Sequence, residues 1–347
     1  MKKRKSNLEL LRIIAMFLIV LGHVTWQTDY SYKISENFLV LLLTQMLWIG
    51  GPLGVTIFTL ISSYFLSFSS FKNGRVKKII LTTDLYSWCI LVIISITSGI
   101  HLLNLKIIVE SIFPVITGGY WYISAYVGVL LISPFLNKLI NTLNYNEYIR
   151  LVTLLIILTS ILPVFLKNQT YSISGISFYN LVTIYFIGGF VRKFNNKFTS
   201  KHNLLYYSII IISFLALTTS IFVIDIVKGK NGFGNDTRIW GMYLGSYTPS
   251  VFSILMGTCI FIIFKNMHVR YNKVINEIAS STLAVYLIHT QPAFIDILWN
   301  KIFHLADFEY TPYVFIIEIG VAISIFIVCV LIDKIMNTFI RVIGKAF

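Results

Sequence analysis

The sequence predicts an all-α integral membrane protein, a polytopic bundle of about ten transmembrane helices with both termini in the cytoplasm. Three observations predict it. Apolar residue types make up 56% of the 347 positions and charged residues only 12%, where a soluble domain carries roughly 25%. The apolar residues gather into ten runs, most near the ~20 residues that a helix needs to cross a bilayer. Lys and Arg alternate between dense and sparse from one loop to the next, as the positive-inside rule requires.

The runs fall near Leu8–Trp26, Leu47–Leu66, Ile79–Ile100, Trp121–Ile140, Arg150–Leu166, Phe178–Val191, Leu204–Ile224, Leu244–Phe264, Ile278–Trp299 and Tyr313–Ile332. The sixth is short, and Pro134 and Pro292 are expected to interrupt the fourth and ninth. The basic head MKKRKSNLEL resembles that of a signal peptide. The run behind it, however, carries Arg12 and His23 and ends in WQTDY without a small-residue cleavage site, so it is expected to stay as the first helix. Ten spans take about 200 residues, which leaves short loops and a single transmembrane domain over 1–347.

With the N-terminus inside, twenty of the 28 Lys and Arg residues fall in inner segments, seven in outer ones, and Arg12 within a helix. The net charge of +14 is then mostly the cytoplasmic excess of a bilayer protein, not a footprint for nucleic acid. Cys89, Cys259 and Cys329 lie in apolar runs without metal-ligand spacing and read as small buried residues. The largest outer loop, about Asp225–Tyr243, offers Trp240 and Tyr243 as flat faces for sugar rings, or serves only as a connector.

Charges that persist within spans usually face a protein interior, because a charge at the bilayer centre costs several kcal/mol. Arg12 and His23 are eleven residues apart. Three helical turns separate them, so both project from one face, about 16 Å apart along the axis. The alternative is an Arg12 that snorkels to the inner headgroups and a His23 at the interface. His289, in LAVYLIHTQP, reads equally as a second site residue or a hydrogen-bonded core residue. Glu318 reads as an interfacial carboxylate near the outer end of the last span. The inner loop Gly74-Arg75-Val76-Lys77-Lys78 is either a positive-inside anchor or a clamp for the phosphates of a nucleotide-like donor. No GxxxxGK[ST], GxGxxG, GxSxG, HExxH or paired CxxC is present.

Five segments in order carry a family resemblance: NLELLRIIAMFLIVLGHV, with Arg, ten residues, then His; GGPLGVTIFTLISSYFLS with FKNGRVKKII; GGYWYISAYVGVLLISPFLNKL; YFIGGFVRK; and INEIASSTLAVYLIHTQP. Over about residues 6–292 the chain resembles the membrane-bound acyltransferase 3 family of bacterial carbohydrate O-acyltransferases. The resemblance implies a ten-helix bundle in the bacterial cell membrane. It implies transfer of an acyl group, usually acetyl, from cytoplasmic acyl-CoA to a sugar hydroxyl on an extracytoplasmic or lipid-linked glycan.

His23 then corresponds to the family's essential histidine and Arg12 to its motif partner. Arg75, Lys77 and Lys78 fall at the basic donor loop, and His289 in the second histidine segment. The partners implied are acyl-CoA (acetyl-CoA above all), a carbohydrate acceptor, the bilayer and polysaccharide-biosynthesis machinery, without a metal or nucleic acid. The loop reads Arg-x-x-Lys where the family has Arg-x-x-Arg, which loses a bidentate donor at Lys78. The segment GGYWYISAYVG lacks the Glu of the peptidoglycan-acetylating branch. The compact branch without a fused soluble domain, acting on capsule or exopolysaccharide, is the better match.

In the mechanism this suggests, His23 acts as general base on the sugar hydroxyl, a role worth roughly 10²–10⁴-fold. A covalent acyl carrier, Tyr120 or Tyr122, is the variant. A transporter or flippase is the alternative class, since intramembrane His and Arg also suit proton-coupled transport. The paired broken helices of transport folds are not evident.

Overall fold

The computed structural model describes residues 5–30, 38–99, 103–165, 178–229 and 250–346, and every regular element among them is helical. In chain order these are α1 Ser6–Gln27, α2 Phe38–Leu47, α3 Gly50–Leu66, α4 Asn73–Ile94, α5 Leu105–Ile112, α6 Trp121–Thr142, α7 Tyr145–Ile156, α8 Leu162–Phe165, α9 Phe178–Lys193, α10 Asn203–Gly229, α11 Val251–Asn266, α12 Lys273–Ser280, α13 Thr282–His289 and α14 Val314–Ala346. A π-helical turn at Ile157–Ile161 joins α7 to α8.

Six stretches are long and apolar enough to cross a bilayer: Ser6–Gln27, Phe38–Leu66, Asn73–Thr97, Trp121–Thr142, Ser200–Val227 and Val314–Thr338. The chain is a multi-pass membrane protein. The other expected runs form shorter helices, of which Val251–Asn266 is the apolar one.

The bundle is built around α1 and α3. Of their apolar windows, 56% in α1 and 67% in the α2–α3 stretch is buried, against 22–33% in the other four spans. The outer helices therefore present apolar side chains to lipid, and the first two spans are interior. Glycine permits this arrangement. A Cβ on Gly54 would stand 2.4 Å from the Ala15 carbonyl oxygen, and one on Gly22 2.6 Å from the Gly51 nitrogen. Only side-chain-free positions let the two backbones meet in this way. Pro52 lies in the first turn of α3, where its missing N–H has no helical acceptor in any case.

Two apolar clusters flank the pair. Leu8, Leu11 and Ala15 pack with Ile57 and Leu60 of α3, Ile184 of α9 and Phe261 of α11. Further along α1, Met16, Ile19, Val20 and Val24 belong to a second cluster with Ile123 of α6, Leu287 of α13 and Ile325 of α14.

Several expectations need correction. The second helical run begins at Phe38, not Leu47, and breaks at Trp48–Ile49 just before the glycines. Pro134 does not interrupt α6, because the Ser133 hydroxyl donates to the Leu130 carbonyl at 2.7 Å, the acceptor that proline leaves empty. The basic segment is not a loop: α4 starts at Asn73, so Arg75, Lys77 and Lys78 lie in its first turns. The expected outer loop starts late, since Asp225–Gly229 close α10, and Asp225 is buried against the Gln45 side chain at 2.8 Å. Trp240 and Tyr243 lie outside the described residues. Glu318 is not interfacial but fully buried, and it accepts from the Thr44 hydroxyl at 3.2 Å. Cys259 and Cys329 are buried and Cys89 is half-buried, all three as free thiols.

Candidate active site

Helix α13 ends at His289 for a local reason. Gln291 precedes Pro292, and the residue before proline is pushed out of the helical region. The chain is then pinned on both sides of the histidine. Gln291 is fully buried, donates to the Ser111 hydroxyl at 3.1 Å, and accepts from the Ala293 N–H at 2.7 Å. The Tyr120 hydroxyl donates to the Leu287 carbonyl at 2.8 Å. His289 is thereby held fully buried, with the rings of Tyr286 and Trp299 edge-on to it at 6.1 and 6.4 Å.

From this position His289 meets His23 of α1. The His23 Nδ1 and His289 Nε2 atoms are 2.9 Å apart, a hydrogen bond between residues 266 positions apart in sequence. His289 Nδ1 lies 2.6 Å from the Val285 carbonyl oxygen, one helical turn back. The two imidazoles found separately in the sequence are thus one unit.

Eleven residues back along α1, Arg12 faces a cavity of about 260 Å³. Phe58 and Ser62 of α3, Ile79 of α4, and Tyr122, Ile123 and Tyr126 of α6 line it, with the α12–α13 junction at Ser280 and Thr282 closing one side. Arg12 does not stand alone: its Nη1 pairs with Glu9 Oε2 at 2.6 Å. Arg12 and Tyr126 line the same cavity. Arg75 is half-buried and lies one turn before Ile79, with its Nη1 3.5 Å from the Ser69 hydroxyl. Lys77 and Lys78 are exposed.

An aromatic wall joins the cavity to the imidazole pair. Tyr122 lines the cavity, stands edge-on to Tyr286 at 6.0 Å, and shares a 3.2 Å hydrogen bond with the Thr59 hydroxyl. Tyr286 in turn touches His289. The sequence reading missed Glu9, Tyr126 and Tyr286. Their signals were present: Glu9 is three residues before Arg12, Tyr126 is four after Tyr122, and Tyr286 is three before His289, spacings that share one helical face. Among the described residues no group of His, Cys, Asp and Glu suited to a metal occurs.

Fold and site together define a multi-pass helical membrane protein with a cavity at an Arg–Glu pair near one end of its central helix and a histidine pair near the other. The sequence model of the acyltransferase domain, acyltransferase 3, matches residues 5–333, and the chain belongs to that family. It is an enzyme of acyl transfer. No curated protein and no solved structure matched the chain.

Proposed function

We propose that the protein transfers an acyl group, in the simplest case acetyl, from cytoplasmic acyl-CoA to a carbohydrate hydroxyl presented at the outer side of a bacterial cell membrane. Both termini are cytoplasmic in this reading, and the acceptor is a capsule- or exopolysaccharide-type glycan or its lipid-linked precursor. One observation carries it. A single interior helix delivers a guanidinium to a cavity and, three turns on, an imidazole already hydrogen-bonded to a second imidazole.

The chemistry follows from that arrangement. Acyl-CoA is anionic at its phosphates and apolar along its pantetheine arm. Arg75, at the N-terminus of the 22-residue α4, adds a guanidinium to the positive end of a helix dipole. Arg12 adds a second cation at the cavity. Lys77 and Lys78 contribute attraction at a distance. The arm runs along the Tyr126–Tyr122–Tyr286 wall and brings the thioester carbonyl to His23. His23 takes the proton of the acceptor hydroxyl as its oxygen bonds to the acyl carbon. The carbon–sulfur bond breaks, and the proton passes to the departing thiolate. Atoms and charge balance without a metal.

The test is a His23→Ala variant that inserts and accumulates as the parent does. Its expected result is loss of alkali-labile acyl ester from the cell's surface glycan. Undiminished esterification would overturn the proposal.

A further inference from the structure

The hydrogen bonds of the histidine pair fix more than distance. A carbonyl oxygen only accepts, so in the 2.6 Å contact between His289 Nδ1 and the Val285 carbonyl the imidazole nitrogen is the donor. His289 therefore carries its proton on Nδ1. Its partners among the described residues include no carboxylate, and the side chain is fully buried. The neutral form is the one such surroundings accept, because an unpaired buried charge is costly. A neutral imidazole protonated on Nδ1 has a lone pair on Nε2. That Nε2 faces His23 Nδ1 at 2.9 Å. The bond then has one possible direction, with His23 Nδ1–H donating and His289 Nε2 accepting. A neutral His23, the form a general base requires, is left with its lone pair on Nε2, the nitrogen not engaged with His289.

We infer that His289 is a positioning residue: its hydrogen bonds to the Val285 carbonyl and to His23 hold His23 in the Nδ1–H tautomer, so that Nε2 is the atom that takes the acceptor's proton. A backbone carbonyl here does, through one intervening imidazole, what a buried carboxylate does for the histidine of a serine-protease triad. The clamp around His289 has a clear purpose on this view. Tyr286 and Trp299 hold the ring plane, Tyr120 holds the turn through Leu287, and Gln291 holds the chain end. An imidazole free to flip would offer its N–H instead of its lone pair and reverse the whole sequence of bonds.

The inference rests on the proposed role of His23 but is read separately from it. The full-length protein, labelled with ¹⁵N-histidine and held in lipid bilayers, is compared by NMR with its His289→Phe and His289→Gln variants, without any substrate. His23 is expected as the Nδ1–H tautomer in the parent and as the Nε2–H tautomer, the usual one for a neutral imidazole, in His289→Phe. In His289→Gln the side-chain carbonyl reaches about as far as the imidazole Nε2 and accepts the same bond, so Nδ1–H is expected again.

Acyl transfer follows the same order. His289→Phe lowers kcat by roughly 10²–10⁴-fold, the loss that a wrong tautomer brings, with the KM for acyl-CoA within about twofold. His289→Gln regains at least tenfold of that loss. A parent His23 protonated on Nε2, an unchanged tautomer in His289→Phe, or a Gln variant no better than Phe at equal accumulation would each overturn the inference. A parent protein with the expected tautomer and no acyl transfer at all would instead reject the proposed function and leave the hydrogen-bond geometry standing.

Discussion

The rings of Tyr122 and Tyr126 stack with centroids 5.9 Å apart and planes 8° from parallel, on successive turns of α6. Tyr122 separates the cavity at Arg12 from the ring that touches His289. This makes the covalent variant of the mechanism testable. In Tyr122→Phe the stack remains and only the bond to Thr59 is lost, so acylation is expected within about threefold of the parent if the ring guides the donor. Tyr122→Ala removes the wall and is expected to cost roughly 10²-fold through misplacement of the thioester. Abolition of activity by Tyr122→Phe, in protein that accumulates normally, would mean that the phenol carries the acyl group.

Arg12 is paired with Glu9 at 2.6 Å, so its replacement needs a partner of the same charge. Arg12→Lys keeps the carboxylate neutralised but loses the planar fork that binds phosphate through two parallel hydrogen bonds. The expected outcome is a rise of about tenfold in the KM for acyl-CoA with a smaller change in kcat. Steady-state assays on purified protein at varied donor concentration check it, and an unaltered KM would remove Arg12 from donor binding.

The basic residues of α4 are expected to divide according to their exposure. Arg75→Ala raises the KM for acyl-CoA about tenfold, because one half-buried guanidinium and the helix terminus act together. Lys77→Ala and Lys78→Ala shift it about twofold or less, and that shift fades as added salt screens exposed charge. Equal effects at all three positions would favour a diffuse anchor over a donor site.

Two glycine substitutions should move stability in opposite directions. Gly54→Ala puts a methyl group 2.4 Å from the Ala15 carbonyl oxygen, a backbone atom that cannot step aside. Gly320→Ala, at an exposed position of α14, meets nothing within 4 Å. The first is expected to lower the melting temperature in detergent by several degrees and to reduce accumulation. The second is expected to stabilise by about 0.5–1 kcal/mol through helix propensity. Equal melting temperatures for Gly54→Ala and the parent would deny the close crossing.

The elements of the fold and of the candidate site were legible to different degrees. The stacking of Arg12 and His23 on one face followed from helical periodicity, and both do face the protein interior. Glu318 was misread because depth along the chain says nothing about the facing helix: Thr44 lies 274 positions away. The meeting of His23 and His289 was beyond any local pattern for the same reason, since periodicity places a residue on a face but does not say which face it meets. The family segment YFIGGFVRK offered no mechanism as sequence. In the fold, Gly188 and Gly189 admit Ser63 and Tyr148, Arg192 bonds to Tyr64, and Lys193 donates to the Ile140 and Asn141 carbonyls at the end of α6 and to that of Leu143 just beyond it. It is scaffold. Pro134 misled in the other direction, because a neighbouring hydroxyl took over the bond that proline forfeits.

The glycine crossing of α1 and α3 has a further consequence. Helices cushioned by side chains can slide or rock, but two that touch main chain to main chain have no slack in which to do so. α1 and α3 are therefore locked to each other, and His23 keeps its place against α3. On the proposed reading, the cofactor stays on its own side and the glycan on the other. Only the few atoms of the acyl group cross, and the membrane's permeability barrier is never opened for anything larger.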